Sequence, residues 1–270
     1  MSTKKSKIAG AVYGFAIGDA MGATTEFMTE NQIKTIFGKV TDIVGGGWLN
    51  LKPGDVTDDT QMTMCVMDAA IASGGSDDRF RKACIANFIE WYKSNPPDVG
   101  GQCARGIQAL MHGMLAQDTE SAGNGSLMRA LPCALLGWKQ RNLVQGWLTH
   151  MNDECMAAIS WYHDVIQRTL RGNYIWSQFE DLNSCLKEPT GYVKNTLINA
   201  RIWASEPIFE ECIIGAVNHG GDADTIAAIA GGISGTRFGY EAIPQKWIDK
   251  LNPQVKTKLD EFIAFCAEEV

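Results

Sequence analysis

Across 270 residues the chain has four histidines, eight prolines and eight cysteines, and no two cysteines form a C-x-x-C pair. Thiols scattered singly argue against a disulfide framework and a thiolate zinc site, and read as buried groups in a reducing, cytoplasmic compartment. Positive charge is in deficit, with a formal net charge of −7. That argues against a general nucleic-acid or anionic-membrane binder, since both need a cationic footprint. No uncharged run is long enough to span a bilayer. Lys4, Lys5 and Lys7 precede the apolar stretch "IAGAVYGFAI", but it is glycine-broken and ends in Asp19, so a signal peptide is not expected. Strand patterns are also scarce: in "KVTDIVGGGWLNLKPGD" (39–55) alternation fails and glycines take over, which suits a loop with at most a short hairpin. The phosphate-loop, H-E-x-x-H, G-x-S-x-G and calcium-loop patterns are missing.

Helical periodicity is plentiful. "TDDTQMTMCVMDAAIAS" (57–73) sets Met64, Met67 and Ile71 on one stripe, and "DDRFRKACIANFIEWYKS" (77–94) does the same with Phe80, Cys84, Phe88 and Trp91. "GYVKNTLINARIWAS", "IFEECIIGAVN" and "VKTKLDEFIAFCAEE" are likewise helical. With no linker, no repeat and 45% hydrophobic residues, residues 1–270 are predicted to form one all-α domain, expected as a monomer.

Two acidic clusters stand out. "NHGGDADTIAAIAGG" (218–232) places Asp222 and Asp224 between a glycine pair and a run of small residues, with Thr225 next. "PGDVTDDTQM" places Thr57, Asp58 and Asp59 at another helix start. On a helix, positions i and i+2 point to nearly opposite sides, so both aspartates address one point only if Asp222 lies in the approach loop and Asp224 at the cap. Helix capping explains one acid in each cluster, and unconnected caps are the alternative reading. If the two starts converge, four carboxylates and two hydroxyls share one pocket. Like charges about 4 Å apart cost about 4 kcal/mol per pair at an effective dielectric near 20. Such a group protonates or binds cations, and all-oxygen donors suit Mg²⁺, Mn²⁺ or Ca²⁺ better than zinc. Two acidic arms suggest two ions.

These elements resemble the ADP-ribosylglycohydrolase family, and the resemblance runs nearly end to end. It rests on "GAVYGFAIGDAMGATTEF" (10–27), "PGDVTDDTQMT" (53–63), "PPDVGGQC" (96–103), "GNGSLMRALP" (123–132), "THMNDECMAAISWYHDV" (149–165), "GYVKNTLINARIWA" (191–204) and "AVNHGGDADTIAAIAGGISGTRFG" (216–239). It implies an all-α fold with two Mg²⁺ or Mn²⁺ ions on Thr57, Asp58, Asp59, Asp222, Asp224 and Thr225, with Asp59 also counted in the catalytic set. It implies removal of ADP-ribose from a modified protein side chain, arginine being the first guess, or from a small-molecule or nucleic-acid conjugate. A non-catalytic binding role on the same fold is the third possibility. Glu26 and Asp98 match family acids near the ions and the ribose, and either could be the base: Glu26 for a serine linkage, Asp98 for an arginine one. Asn124, Gly125 and Ser126 match a loop whose backbone N–H groups suit a pyrophosphate, and His150 borders the ligand. His219 stands where an aliphatic residue is common, and is read as a packing residue. Small residues in "TIAAIAGGISG" are expected to let helices approach closely.

Overall fold

The computed structural model describes residues 3–115, 118–173 and 185–269. Thirteen α-helices occur in this part: α1 (Lys4–Gly22), α2 (Glu30–Phe37), α3 (Asp58–Ser73), α4 (Asp77–Lys93), α5 (Gly101–Met111), α6 (Leu131–Leu135), α7 (Lys139–Trp147), α8 (Asp153–Leu170), α9 (Val193–Trp203), α10 (Phe209–His219), α11 (Ala223–Phe238), α12 (Gln245–Lys250) and α13 (Pro253–Glu269). Among the described residues β-pairing is confined to three isolated bridges, Thr29–Gly220, Gly46–Leu51 and Gly123–Tyr192. The predicted short hairpin within 39–55 is therefore one bridge closing a tight turn. No helix among these residues is long and apolar enough to cross a membrane.

The centre of the molecule is the antiparallel pair α1 and α11. Both are buried around nearly their whole circumference, because small and apolar residues occupy every face. Gly10, Gly14, Gly18 and Gly22 form one ridge of α1, four residues apart. A Cβ at Gly10 would lie 2.4 Å from the Gly235 carbonyl oxygen, at Gly14 2.5 Å from that of Gly231, at Gly18 2.2 Å from that of Ala227, and at Gly22 2.4 Å from Asp224 Cα. The two backbones touch along their whole length. This close approach, predicted from the small residues of α11, sets the C-terminal end of α1 beside the N-terminal end of α11.

α3 and α4 pack together outside this pair. On α4 the predicted stripe holds: Phe80, Cys84 and Phe88 are buried, and the half-buried Trp91 donates its indole N–H to Gln61 Oε1 at 2.8 Å. On α3 the stripe is rotated from prediction. Met67 is buried, but Met64 is only partly covered and Ile71 is exposed, while Met62, Val66, Ala69 and Ala70 fill the core. α3 is packed on several sides, so a single stripe does not describe it. Six of the eight thiols are buried, Cys65 is half-buried and Cys185 is exposed.

Candidate active site

Two helix starts meet where α1 ends. Thr57 caps α3, its hydroxyl accepting from the Asp59 N–H at 3.3 Å. Asp222 occupies the cap position of α11 and Asp224 its first turn, so the cap falls at the earlier of the two acids rather than at Asp224 as predicted. Asp222 makes no capping hydrogen bond to the backbone. Its Oδ2 instead accepts from Asn124 Nδ2 at 2.6 Å, and its Oδ1 lies 3.4 Å from Thr225 Oγ1. Thr225 Oγ1 is also 3.2 Å from Asp59 Oδ2, joining the two arms.

The approach to α11 is held tightly. Gly220 and Gly221 have φ of +76° and +63°, and a Cβ at Gly221 would lie 2.0 Å from the Pro189 carbonyl oxygen. The Gly221 N–H donates to Met28 O at 2.8 Å, and the Phe27 N–H donates to Gly221 O at 2.7 Å. The segment after α1 and the segment before α11 are thus laced together. Carboxylate oxygens of Glu26, Asp222 and Asp224 come within 4.8 Å of one another.

The cleft they form has a volume of about 250 Å³ and is lined by Glu26, Asp58, Asp59, Asp98, Asp222 and Asp224, together with Thr225, Asn124, Gly125 and His150. Of the predicted site residues, Thr57 and Ser126 do not line it. Thr57 lies beneath, donating its hydroxyl to Asp19 Oδ1 at 2.8 Å, and Ser126 is fully buried below the loop. Asp98 and Asp58 are hydrogen-bonded to each other, and Asp58 Oδ2 also accepts from the Gly100 N–H at 3.4 Å. No lysine or arginine is among the lining residues.

Burial without counter-charge dominates the electrostatics. Desolvation raises Glu26 to about 8 despite a hydrogen bond from the Trp48 indole N–H, and the charges of Asp98, Asp222 and Asp19 push it further the same way. Desolvation raises Asp222 to about 6. Asp58, Asp59 and Asp224 are pushed well above the usual carboxylate range by burial first and by neighbouring carboxylates second. Asp59 Oδ1 and Asp224 Oδ1 are buried with no hydrogen-bond partner among the described residues. Buried carboxylate oxygens that neither protein donors nor cations satisfy are the donor set a hard divalent cation requires.

Opposite the acids, Asn124 opens a single turn of 3₁₀ helix, Asn124–Ser126. Its N–H donates to Gly191 O at 2.9 Å. Gly123 and Gly125 keep the loop thin: a Cβ at Gly125 would lie 2.6 Å from Cys103 Sγ and 3.1 Å from His150 Nε2. His150 is held from behind. Buried Arg129 donates to Gln145 Oε1 at 2.7 Å and to Thr149 Oγ1 at 2.6 Å, and Thr149 Oγ1 lies 2.7 Å from His150 Nδ1. Burial, reinforced by the Arg129 charge, drives the imidazole well below its ordinary range, so it is neutral. His219 packs against Trp203, away from the lining.

Sequence reasoning missed Asp19. Fully buried in the last turns of α1, it accepts from the Thr57 N–H at 3.0 Å, the Thr57 hydroxyl, and the Thr60 N–H at 2.9 Å. It thereby fastens the start of α3 to α1. The signal was a lone acid inside an apolar run. Phe27, Gln102, Cys103, Met128 and Gly191 also line the cleft; they fall within the segments that carry the family resemblance, but nothing in their own side-chain chemistry singled them out.

An all-helical frame that concentrates carboxylates around one cleft, beside a thin glycine loop, makes that cleft a candidate for acid-centred chemistry rather than for a nucleophile–histidine pair. Residues 1–269 match the family model for ADP-ribosylglycohydrolases. The chain is 34% identical over 272 residues to the ADP-ribosyl-[dinitrogen reductase] glycohydrolase of Rhodospirillum rubrum, covering 93% of this chain and 92% of that one. It is 30% identical over 313 residues to the ADP-ribosylarginine hydrolase Tri1 of Serratia proteamaculans, covering 99% and 81%. A solved ADP-ribosylglycohydrolase-related protein complex superposes over 100% of both chains with a TM-score of 0.79 at 26% identity. The chain belongs to the ADP-ribosylglycohydrolase family, and is an enzyme of that class.

Proposed function

We propose that this enzyme removes ADP-ribose from mono-ADP-ribosylated arginine side chains of proteins, using two divalent cations, Mg²⁺ or Mn²⁺. The observation that carries the metal dependence is the pair of orphaned oxygens on Asp59 and Asp224, in a cleft with many carboxylates and no cationic side chain. Thr57, Asp58, Asp59, Asp222, Asp224 and Thr225 would hold the ions, which when bound would grip the ribose hydroxyls and polarise a water. Arginine linkage draws support from the Serratia proteamaculans relative, whose name specifies it.

The chain's own groups divide the remaining work. The Asn124–Ser126 loop faces the pyrophosphate, with Gly125 offering its backbone at the cleft surface, while the Asn124 N–H is spent on Gly191 O and Ser126 supports the loop from beneath. The neutral imidazole of His150, with Nδ1 committed to Thr149, presents Nε2 to the ligand. Trp48 holds one oxygen of Glu26 and leaves the other to orient the attacking water. Asp98 accepts that water's proton, and the carboxylates of the cleft stabilise the oxocarbenium-like charge at the anomeric carbon.

The test is release of free ADP-ribose from mono-ADP-ribosylated arginine, serine and asparagine peptides, with Mg²⁺ or with EDTA. Release from the arginine peptide is expected with Mg²⁺ only, and Asp224→Ala is expected to lose at least a hundredfold in kcat. Asp98→Asn should lower kcat more than Glu26→Gln on this peptide; the reverse order would make Glu26 the base. No release from any peptide, with metal bound, would sink the protein-side-chain reading and leave a small-molecule or nucleic-acid conjugate as substrate.

A further inference from the structure

Two aromatic ring faces stand beside the cleft without a part in the reaction described above: that of Phe27, which lines it, and that of Trp48, of which the reaction uses only the indole N–H. Phe27 directly follows Glu26, lines the cleft, and is nevertheless 66% exposed. Trp48 is 49% exposed and packs on it, with ring centroids 5.5 Å apart and planes tilted by 49°. Both are held in place by unusual backbone. Phe27 has φ of +61°, a left-handed conformation that a large side chain adopts only when its surroundings impose it. The imposing contact is its N–H to Gly221 O, one residue before Asp222. Trp48 follows Gly45, Gly46 and Gly47, all with positive φ. A Cβ at Gly47 would lie 2.0 Å from Ala23 O, and Thr24 Oγ1 donates to Gly45 O at 3.1 Å. The glycine run therefore clamps the Trp48 loop onto the turn that follows α1.

Strained, rigidly held aromatic surface left in water beside a reaction centre is a contact surface for a ligand. Its place identifies which part of the ligand. The Trp48 indole is hydrogen-bonded to Glu26, so the pair stands one contact from the group assigned to the water at the anomeric carbon. Adenine is the end of ADP-ribose farthest from that carbon, beyond two riboses and a pyrophosphate. The leaving group is bonded directly to it. An occupant that leaves half of each ring open to solvent also suits a side chain arriving on a protein surface.

Resting on the glycohydrolase reading above, we propose that Phe27 and Trp48 form the acceptor-side platform, on which the ribosylated guanidinium of the target arginine stacks. That group stays planar and cationic after modification, and planar cations stack on aromatic faces, the more favourably in an acidic environment. The stacking faces are a specificity element and take no part in bond breaking, apart from the hydrogen bond by which the Trp48 edge positions Glu26.

The test separates ring from fold. Phe27→Gly deletes the ring and suits the positive φ, so its melting temperature should equal or exceed that of the wild type. Titration calorimetry with free ADP-ribose, which carries adenine but no acceptor, should give an affinity within about threefold of wild type. KM for a mono-ADP-ribosylated arginine peptide should rise about tenfold, the size of a lost cation–aromatic contact in a partly desolvated site. Trp48→Leu should raise that KM similarly and also lower kcat, because Glu26 loses its indole donor, so Phe27→Gly is the variant that isolates the ring. Loss of ADP-ribose affinity in Phe27→Gly would make the pair an adenine platform and overturn the proposal. An unchanged KM in both variants would overturn it too, while an active wild type would leave the hydrolase reading standing. A wild type that binds ADP-ribose yet is inert on every modified peptide would overturn both.

Discussion

Asp19 lines no part of the cleft, yet the acids around it depend on it. Its two oxygens take the Thr57 and Thr60 N–H groups and the Thr57 hydroxyl at the start of α3, so the acidic arm Thr57–Asp59, proposed above to hold the ions, is aimed by a carboxylate on a different helix. Asp19→Asn keeps the shape but turns one acceptor into a donor facing donors. Supporting groups of this kind typically contribute about 10- to 100-fold in metal affinity. Titration of Mn²⁺ into Asp19→Asn should show a loss in that range with helix content unchanged; wild-type affinity would show that α3 is aimed without it. The two acidic arms were legible in the sequence because several consecutive oxygen side chains at a helix start exceed what capping needs. Asp19 was not, because a single acid in an apolar run also describes a helix end meeting solvent. Phe27 and Trp48 were equally hidden, since an exposed aromatic gives no sequence signal and a left-handed φ at a phenylalanine contradicts local preference.

At the scale of elements, the four-residue spacing of Gly10, Gly14, Gly18 and Gly22 lets α1 lie backbone to backbone on α11. Gly14→Ala or Gly18→Ala would place a methyl group within 2.5 Å of a carbonyl oxygen with no side chain able to yield. Overpacking of this kind costs about 1–3 kcal/mol, and more where only backbone can move. In a chain of this size each kcal/mol lowers the melting temperature by about 2–4 °C. Thermal unfolding of Gly18→Ala should therefore shift down by at least about 4 °C, and its metal affinity should fall as the ends of the two helices part. An unshifted melt would mean that the helices separate cheaply. The helical class, the bounds of α3 and α4 and the α4 stripe were readable from periodicity. The α3 stripe was not, because a helix covered on several sides has no single apolar face for a 3.6-residue period to mark.

For the whole molecule, the metal-free protein should have an inverted pH dependence. Glu26 rises from 4.5 to about 8 and Asp222 from 3.8 to about 6 on folding, chiefly through burial. A raised carboxyl binds more protons folded than unfolded, so its contribution is full below the unfolded pKa and is lost as pH climbs through the folded one. Neutral His150 acts oppositely below its unfolded value, but it is one group against several acids. EDTA-treated protein should melt higher at pH 5 than at pH 8, and saturating Mg²⁺ should abolish or reverse that order. A metal-free melt that rises with pH would show the carboxylates to be charged and compensated within the protein. The pairing of α1 with α11 bears on how the enzyme is made as well. Roughly 200 residues separate the end of α1 from the start of α11. At about 5–20 residues per second of synthesis, the first helix waits roughly 10–40 s for its partner to be translated. During that interval the glycine-ridged apolar stretch Ile8–Ile17 has no α11 to cover it, so a newborn chain should need shielding of that stretch long before it can become a catalyst.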